Sequence, residues 1–204
     1  MPFPCRYGER RRRAVTVGCI VMAAGNASRF GADKLEARFR GKSLLRRALE
    51  AVPRDRTGPV AAVVRSPAAE RLAEEFGFLP VRNDRPDLGI SRTIRLGLDA
   101  LGPCAAAMFL VADQPLLRRE TTAAAVDFYR AHPDRLVGVA HDGARGNPCI
   151  FPARFFPELR QLQGDQGGGA VIRRHLDGLL LLEVPAWELA DVDTVQALET
   201  LEGL

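Results

Sequence analysis

The stretch Ala23-Ala24-Gly25-Asn26-Ala27-Ser28-Arg29-Phe30-Gly31-Ala32-Asp33-Lys34 combines two glycines with two cations. Gly25 and Gly31 let backbone N–H groups approach an anion closely, and Arg29 and Lys34 would neutralise the β and γ phosphates of a nucleoside triphosphate. Two better-known phosphate loops are excluded by spacing. The dinucleotide pattern G-x-G-x-x-G fails because Gly25-Asn26-Ala27 lacks its second glycine, and Gly41-Lys42-Ser43 would need a glycine at position 36, which is Glu36. On spacing alone the stretch also fits an ordinary surface connection. The second chemical candidate is Asp113, which follows a buried-type apolar run in Val111-Ala112-Asp113-Gln114-Pro115. A carboxylate there suits Mg²⁺, and it equally suits a turn cap before Pro115. Asp191-Val192-Asp193-Thr194 offers another carboxylate, of which only one is expected to face a metal, while Asp193 doubles as a helix N-cap candidate. Lys34 and Lys42 are the chain's two lysines, all other basic side chains being Arg; a retained lysine can mark a need for a compact point charge.

These groups are useful only if elements bring them together. Val15 to Met22 is a continuous β-branched and apolar run, the pattern of a strand covered on both faces. Ser43 to Val52 repeats apolar residues at helical spacing and stops at Pro53. Val60 to Val64 is a second strand, and Ser66-Pro67 starts a helix reaching about Phe76. A strand at Leu79 to Arg82 precedes a loop, after which Ser91 is expected to cap a helix to about Leu101. Ala105 to Val111 is an inner strand, followed by a helix from about Glu120 to His132. Leu136 to Ala140 is a strand, His141 to Pro148 a turn-rich loop and Cys149 to Phe151 a short strand. Ala153 to Leu162 is a helix; beyond the glycine-rich 164–169 come a short helix, a strand at Leu179 to Val184 and a closing helix from Thr194. Alternation of strand and helix predicts an α/β fold, a three-layer, doubly wound, mostly parallel sheet whose ligands collect at strand carboxyl ends.

Length and charge bound the rest. A chain of 204 residues, 47% hydrophobic, suits one well-filled domain, expected over 14–204. The first 13 residues hold five arginines and one glutamate and read as a basic, disordered tail, while the rest carries 24 basic and 24 acidic residues. A nucleic-acid-binding stripe is therefore not expected. No apolar run reaches membrane-spanning length, and no signal peptide pattern follows the arginines. Four cysteines without a C-x-x-C pair and three histidines without H-x-x-H argue against structural zinc or a disulfide framework, and favour a cytoplasmic setting.

Met22-Ala23-Ala24-Gly25 through Arg29-Phe30-Gly31 and Lys34-Leu35 resembles the signature loop of the MobA-like nucleotidyltransferases. Gly89-Ile90-Ser91 with Leu96-Gly97-Leu98, and Val111 to Pro115, resemble later motifs of that family. Gly146-Asn147-Pro148, Ile150-Phe151-Pro152, Gly164-Asp165-Gln166-Gly167 and Asp191 to Thr194 are similar to its molybdenum cofactor cytidylyltransferase branch. The resemblance implies a Rossmann-like nucleotidyltransferase fold and transfer of CMP from CTP to molybdopterin with Mg²⁺. Ala23, Ala24 and Gly25 would contact the nucleotide, Arg29 and Lys34 its triphosphate, and Asn83 and Ser91 the base or ribose neighbourhood. Asp113 and Asp193 would hold the metal, with Lys34, Arg29 and Asp113 catalytic, and Asn147 and Asp165 toward the acceptor. A molybdoenzyme client is a further implied partner. Ala27, Gly168-Gly169 and Val195-Gln196 depart from the family's usual residues, Gly168-Gly169 standing where Ala-Arg is common. Gly168-Gly169 keeps open a different phosphorylated acceptor, such as a sugar or alditol phosphate; GTP as donor and a non-catalytic nucleotide- or cofactor-binding chaperone are further alternatives.

Overall fold

A computed structural model describes residues 16–25 and 34–202. The basic tail of residues 1–13 and Arg29 lie outside the described residues. Strand β1 (Val17–Ala23) is buried at every position except the half-buried Met22, as an apolar run with no polar alternation demands. A short hairpin follows, β2 (Arg38–Phe39) and β3 (Lys42–Ser43), leading into helix α1 (Leu44–Glu50). The Ser43 hydroxyl accepts from the Arg46 N–H at 3.2 Å, satisfying one orphan donor of the first turn. Then come β4 (Val60–Val64), α2 (Pro67–Glu75), β5 (Leu79–Arg82), α3 (Ile90–Leu101), β6 (Ala106–Val111) and α4 (Arg119–Ala131). Ser66 caps α2 through the Ala69 N–H, with Pro67 at the first helical position, as its sequence predicts. The remaining elements are β7 (Leu136–His141), β8 (Ala144–Pro152), α5 (Phe156–Arg160), α6 (Gly169–Arg174), β9 (Leu179–Glu183) and α7 (Val195–Glu202).

The main sheet runs β5-β4-β1-β6-β8-β7-β9. Its β5–β4, β4–β1, β1–β6 and β7–β9 pairs are parallel, and β8 is inserted antiparallel to both β6 and β7. Helices cover both faces. One core layer joins Val17, Cys19 and Val21 to α1, α2 and α4, and the other joins Ile20 to α3, α5 and α6. Each fully buried aliphatic side chain in these layers contributes roughly 1.5–3 kcal/mol. A smaller cluster of Phe39, Leu44, Val192, Leu198 and Leu201 fastens α7 and the segment before it to the hairpin side.

Two expectations change. Residues 144–148 form part of strand β8 rather than a loop. Their glycine, asparagine and proline have a physical outlet: the β7–β8 register slips between Gly138 and Ala140, so Gly146 to Pro148 bulge from an otherwise continuous ladder. Ser91 does not cap α3. Gly89, at φ +83°, is the cap residue, and Ser91 sits inside the first turn with its hydroxyl buried. Gly89 is required twice over, because a Cβ there would also lie 2.3 Å from the Gly164 carbonyl carbon and oxygen. No helix among the described residues is long and apolar enough to cross a membrane. Cys19, Cys104 and Cys149 are free thiols, and burial pushes the Cys19 thiol up to about 12, the behaviour of an inert core cysteine.

Gly97 lets α3 lie directly on β1. A Cβ at this position would stand 2.5 Å from Ile20 Cγ2, a branched methyl with no room to swing away. Gly97→Ala is expected to lower unfolding free energy by about 1–3 kcal/mol in urea titration, because overpacking outweighs the helix-propensity gain. A midpoint that rises instead would show that helix and strand have room to separate.

Candidate active site

Strands β1 and β6 are parallel neighbours, with Met22 opposite Val111, so their carboxyl ends open at the same edge. Asp113 lies two residues beyond β6. Lys34 opens a single 3-10 turn, Lys34–Glu36. Its ammonium Nζ donates to Asp113 Oδ2 at 3.0 Å and to Asp193 Oδ1 at 2.9 Å, joining groups 79 and 159 residues away in sequence. The Lys34 side chain is 12% exposed and that of Asp193 is 68% exposed, so solvent screens the second contact more than the first. Burial by itself would lower the lysine pKa, but the charge of Asp113 and the hydrogen bonds to Asp193 and Asp113 prevail and raise it. Lys34 is therefore a fixed positive charge at neutral pH.

The last part of the chain is stitched onto this edge. Val192 N–H donates to the Asp113 carbonyl at 2.8 Å, and the Gln114 side-chain amide donates to the Leu189 carbonyl at 3.3 Å. Further along, the fully buried Glu188 carboxylate accepts from the Arg118 N–H at 3.1 Å and from Arg118 Nε at 2.9 Å. The same guanidinium lies 5.1 Å from the centroid of the Trp187 ring. Val192 is wholly buried in the α7 cluster. Val192 is the buried residue of this segment, and Asp191 and Asp193 on either side of it are exposed. Of the two, Asp193 lines the cleft and contacts Lys34. Packing around Asp191 and the charge of Asp113 raise its carboxyl above the ordinary aspartate range, partly offset by the Gln114 amide. Thr194 caps α7 through the Ala197 N–H at 3.1 Å, which frees Asp193 from that duty.

A cleft of about 220 Å³ contains this centre, with Gly25, Lys34, Ile90, Thr93, Asp113 and Asp193 on its walls. Ala23 and Ala24 are buried at the mouth of β1. Asn83 is 1% exposed and holds other groups: its amide donates to Thr93 Oγ1, and its carbonyl oxygen accepts from Arg85 N–H and Arg92 Nε. It thus sets the position of a cleft residue, Thr93, from behind. Ser91 is fully buried with its hydroxyl unpaired, while its backbone N–H donates to the Gly164 carbonyl at 3.1 Å. Asp165 is exposed in the loop that meets Gly89. Asn147 lies on the wall of a separate recess of about 40 Å³. Glu188 carries no periodic or motif signal in the sequence, and Gln114, although inside the Val111 to Pro115 motif, was given no role of its own. A larger groove, about 610 Å³, runs between α1, α2 and the β2–β3 hairpin, but Lys42 and Arg46 on its wall are paired with Glu50 and Glu75. Volume is there, whereas the converging carboxylates are in the smaller cleft.

Among the described residues no three His, Cys, Asp or Glu side chains gather as a metal cage. Two carboxylates converge instead on one cation, Lys34. That donor set fits a hard divalent ion that takes one or two protein carboxylates and fills its remaining positions with phosphate oxygens and water.

Lys34 between two carboxylates at the carboxyl edge of a doubly wound sheet is an arrangement suited to nucleotidyl transfer. Residues 19–179 match the MobA-like NTP transferase domain, and the chain belongs to that family. A sequence comparison with curated proteins returns no match. Among solved structures, Rv0371c from Mycobacterium tuberculosis H37Rv has a TM-score of 0.78 at 20% identity, covering 94% of this chain and 100% of its own. A structure of that protein in complex with manganese gives 0.74 at 21% identity over 92% and 98%. A nucleotidyl transferase from Methanothermobacter gives 0.75 at 18% identity over 92% and 96%. CMP:2-keto-3-deoxy-manno-octonic acid synthetase complexed with CTP gives 0.73 at 14% identity over 92% and 97%. At these identities the likeness is one of fold.

Glu188→Gln is expected to cost about 1.5–3 kcal/mol in chemical unfolding, because its amide would present N–H to donors that now face a carboxylate. Unchanged stability would mean that the buried carboxylate does not tie the two segments together.

Proposed function

We propose that this nucleotidyltransferase moves CMP from CTP onto molybdopterin in the cytoplasm, with Mg²⁺ held by Asp113 and Asp193. The observation that carries the donor half is the Lys34 ammonium set between those two carboxylates at the mouth of β1. A triphosphate entering along Gly25 brings its own negative charge to this ammonium and competes with the aspartates for it. Released carboxylates then become available to a divalent ion, which when bound neutralises phosphate charge and supplies electrostatic stabilisation to the leaving group. Arg29 joins Lys34 at the triphosphate in this reading.

An oxygen of the acceptor's phosphate attacks the α-phosphorus in line. A new P–O bond forms as the bond from the α-phosphorus to the bridging oxygen breaks, and pyrophosphate leaves with the electron pair. No protein nucleophile and no proton transfer are required, so catalysis is positioning plus charge neutralisation. Lys34, whose charge is secured by its raised pKa, is the protein's fixed contribution to the accumulating negative charge. Support for CTP comes from Ala23-Ala24-Gly25 and from the CTP-bound synthetase among structures of the same fold. Support for molybdopterin comes from the Gly146-Asn147-Pro148 and Gly164-Asp165-Gln166-Gly167 motifs, and a molybdoenzyme client would receive the product. Gly168-Gly169 favours a second reading, in which another phosphorylated small molecule is the acceptor.

Asp113→Ala is expected to abolish pyrophosphate release and Lys34→Ala to slow it by about 10²- to 10⁴-fold, measured with a coupled phosphate assay. Full turnover by Asp113→Ala in excess Mg²⁺ would sink the catalytic assignment. Donor choice is read separately by thermal shift with CTP, GTP, ATP and UTP plus Mg²⁺. CTP is expected to give the largest rise, about 2.7 kcal/mol of added stability at a hundredfold excess over Kd. A larger rise with GTP would overturn CTP as donor.

A further inference from the structure

Beyond the donor cleft, Arg145, Asn147, Cys149, Gly168 and Gly169 surround the 40 Å³ recess, which shares Met22 with that cleft. Its volume admits a few waters or one small polar group. Arg145 stands at the start of β8, and its Nη1 donates to the Cys149 thiol sulfur at 3.3 Å, a weak and neutral acceptor for a guanidinium. Burial keeps that thiol protonated by pushing its pKa up, so it supplies no counter-charge at neutral pH. On the opposite wall, Gly169 has no side chain where a Cβ would lie 3.1 Å from Arg145 Nη2 and 3.7 Å from Arg173 Nη1. Two guanidinium groups thus approach the same point, from β8 and from α6. Neither pairs with a carboxylate among the described residues, although Arg174, the next residue, pairs with Glu158. Like charges gathered without a counter-ion repel one another, and an anion between them reverses the sign of the interaction.

We propose that Arg145 and Arg173 form an anion subsite that grips a phosphate of the acceptor, with the Asn147 amide on the same wall. The fork of each guanidinium matches a phosphate oxygen pair, which a lysine would not reproduce. Gly169 belongs to the subsite because its missing side chain leaves room for both arginines. The proposal deepens the transferase reading: the donor triphosphate meets Lys34 at the β1–β6 edge, and the acceptor is held beyond Met22 by a separate pair of charges. It also gives Gly168-Gly169 a role, since the cation needed at this end comes from β8 and from later in α6.

The test titrates inorganic phosphate calorimetrically into protein saturated with CTP and Mg²⁺, at constant ionic strength, so that the triphosphate site is filled. Wild type is expected to bind one phosphate. Arg145→Gln and Arg173→Gln are each expected to weaken it about tenfold or more, and Arg145→Lys to restore only part of the loss. Both side chains are exposed, and an unchanged unfolding midpoint confirms that the variants fold. Equal phosphate affinity in wild type and the double variant, or no phosphate binding by wild type, overturns the subsite. The CTP-induced thermal shift is recorded on the same samples. Its absence in wild type would overturn the donor reading, while the comparison of phosphate affinities still decides the subsite.

Discussion

Everything at this site depends on one ammonium group between two carboxylates. Asp113 and Asp193 would repel each other if turned toward the same point without a cation, and the fold places Lys34 Nζ within 3.0 Å of both. Each partner is delivered by a different part of the architecture. Lys34 follows β1, Asp113 follows β6, and Asp193 arrives on a segment that joins no strand of the sheet. The ion triad is the meeting point of early, middle and late chain. It is also a poised arrangement, because the three groups satisfy one another by the same charges that a metal-bound triphosphate would use.

Holding such a triad needs more than the triad itself. The segment from Trp187 to Val192 has neither a ladder nor a long helix to fix it, and the structure answers with backbone and side-chain stitching to 113–118. Buried Glu188 fastens one end and buried Val192 the other. Between them Gln114 reaches toward both the Leu189 carbonyl and the Asp191 carboxylate. The insertion of antiparallel β8 into the sheet performs the matching task on the side of the recess. Its second half, Cys149 to Pro152, is fixed against β6, while Arg145, paired with Ala140 of β7, and Asn147 in the bulge stand at the recess.

Much of this architecture was legible in the amino-acid sequence because its signals are local. Ser66-Pro67 states a helix start, and the apolar runs at β1, β4 and β6 state buried parallel strands, within a residue or two of their observed ends. Residues 144–148 misled for an equally physical reason. Glycine, asparagine and proline normally mark loops, and here they occupy a bulge whose flanks are paired. Ser91 has the chemistry of a cap but sits two residues past the point where Gly89 turns the chain. Lys34, Asp113 and Asp193 could be named as candidates from residue type and position. That they meet is a property of strand order and of Val192's burial, which no spacing encodes. Glu188 was silent because a buried carboxylate is recognised by its partners, and Arg118 lies 70 residues away.

The approach of Gly89 to Gly164 has a mechanical meaning. Here the amino end of α3, which supplies Ile90 and Thr93 to the donor cleft, rests backbone against backbone on the loop that leads to Gly168 and Gly169. With no side chain between them to flex, a displacement of either rim is passed directly to the other. In the proposed reading, any coupling between ligands at the two rims would by linkage run equally in both directions. The two glycines bring the wall of the cleft and the loop leading to the recess into direct backbone contact.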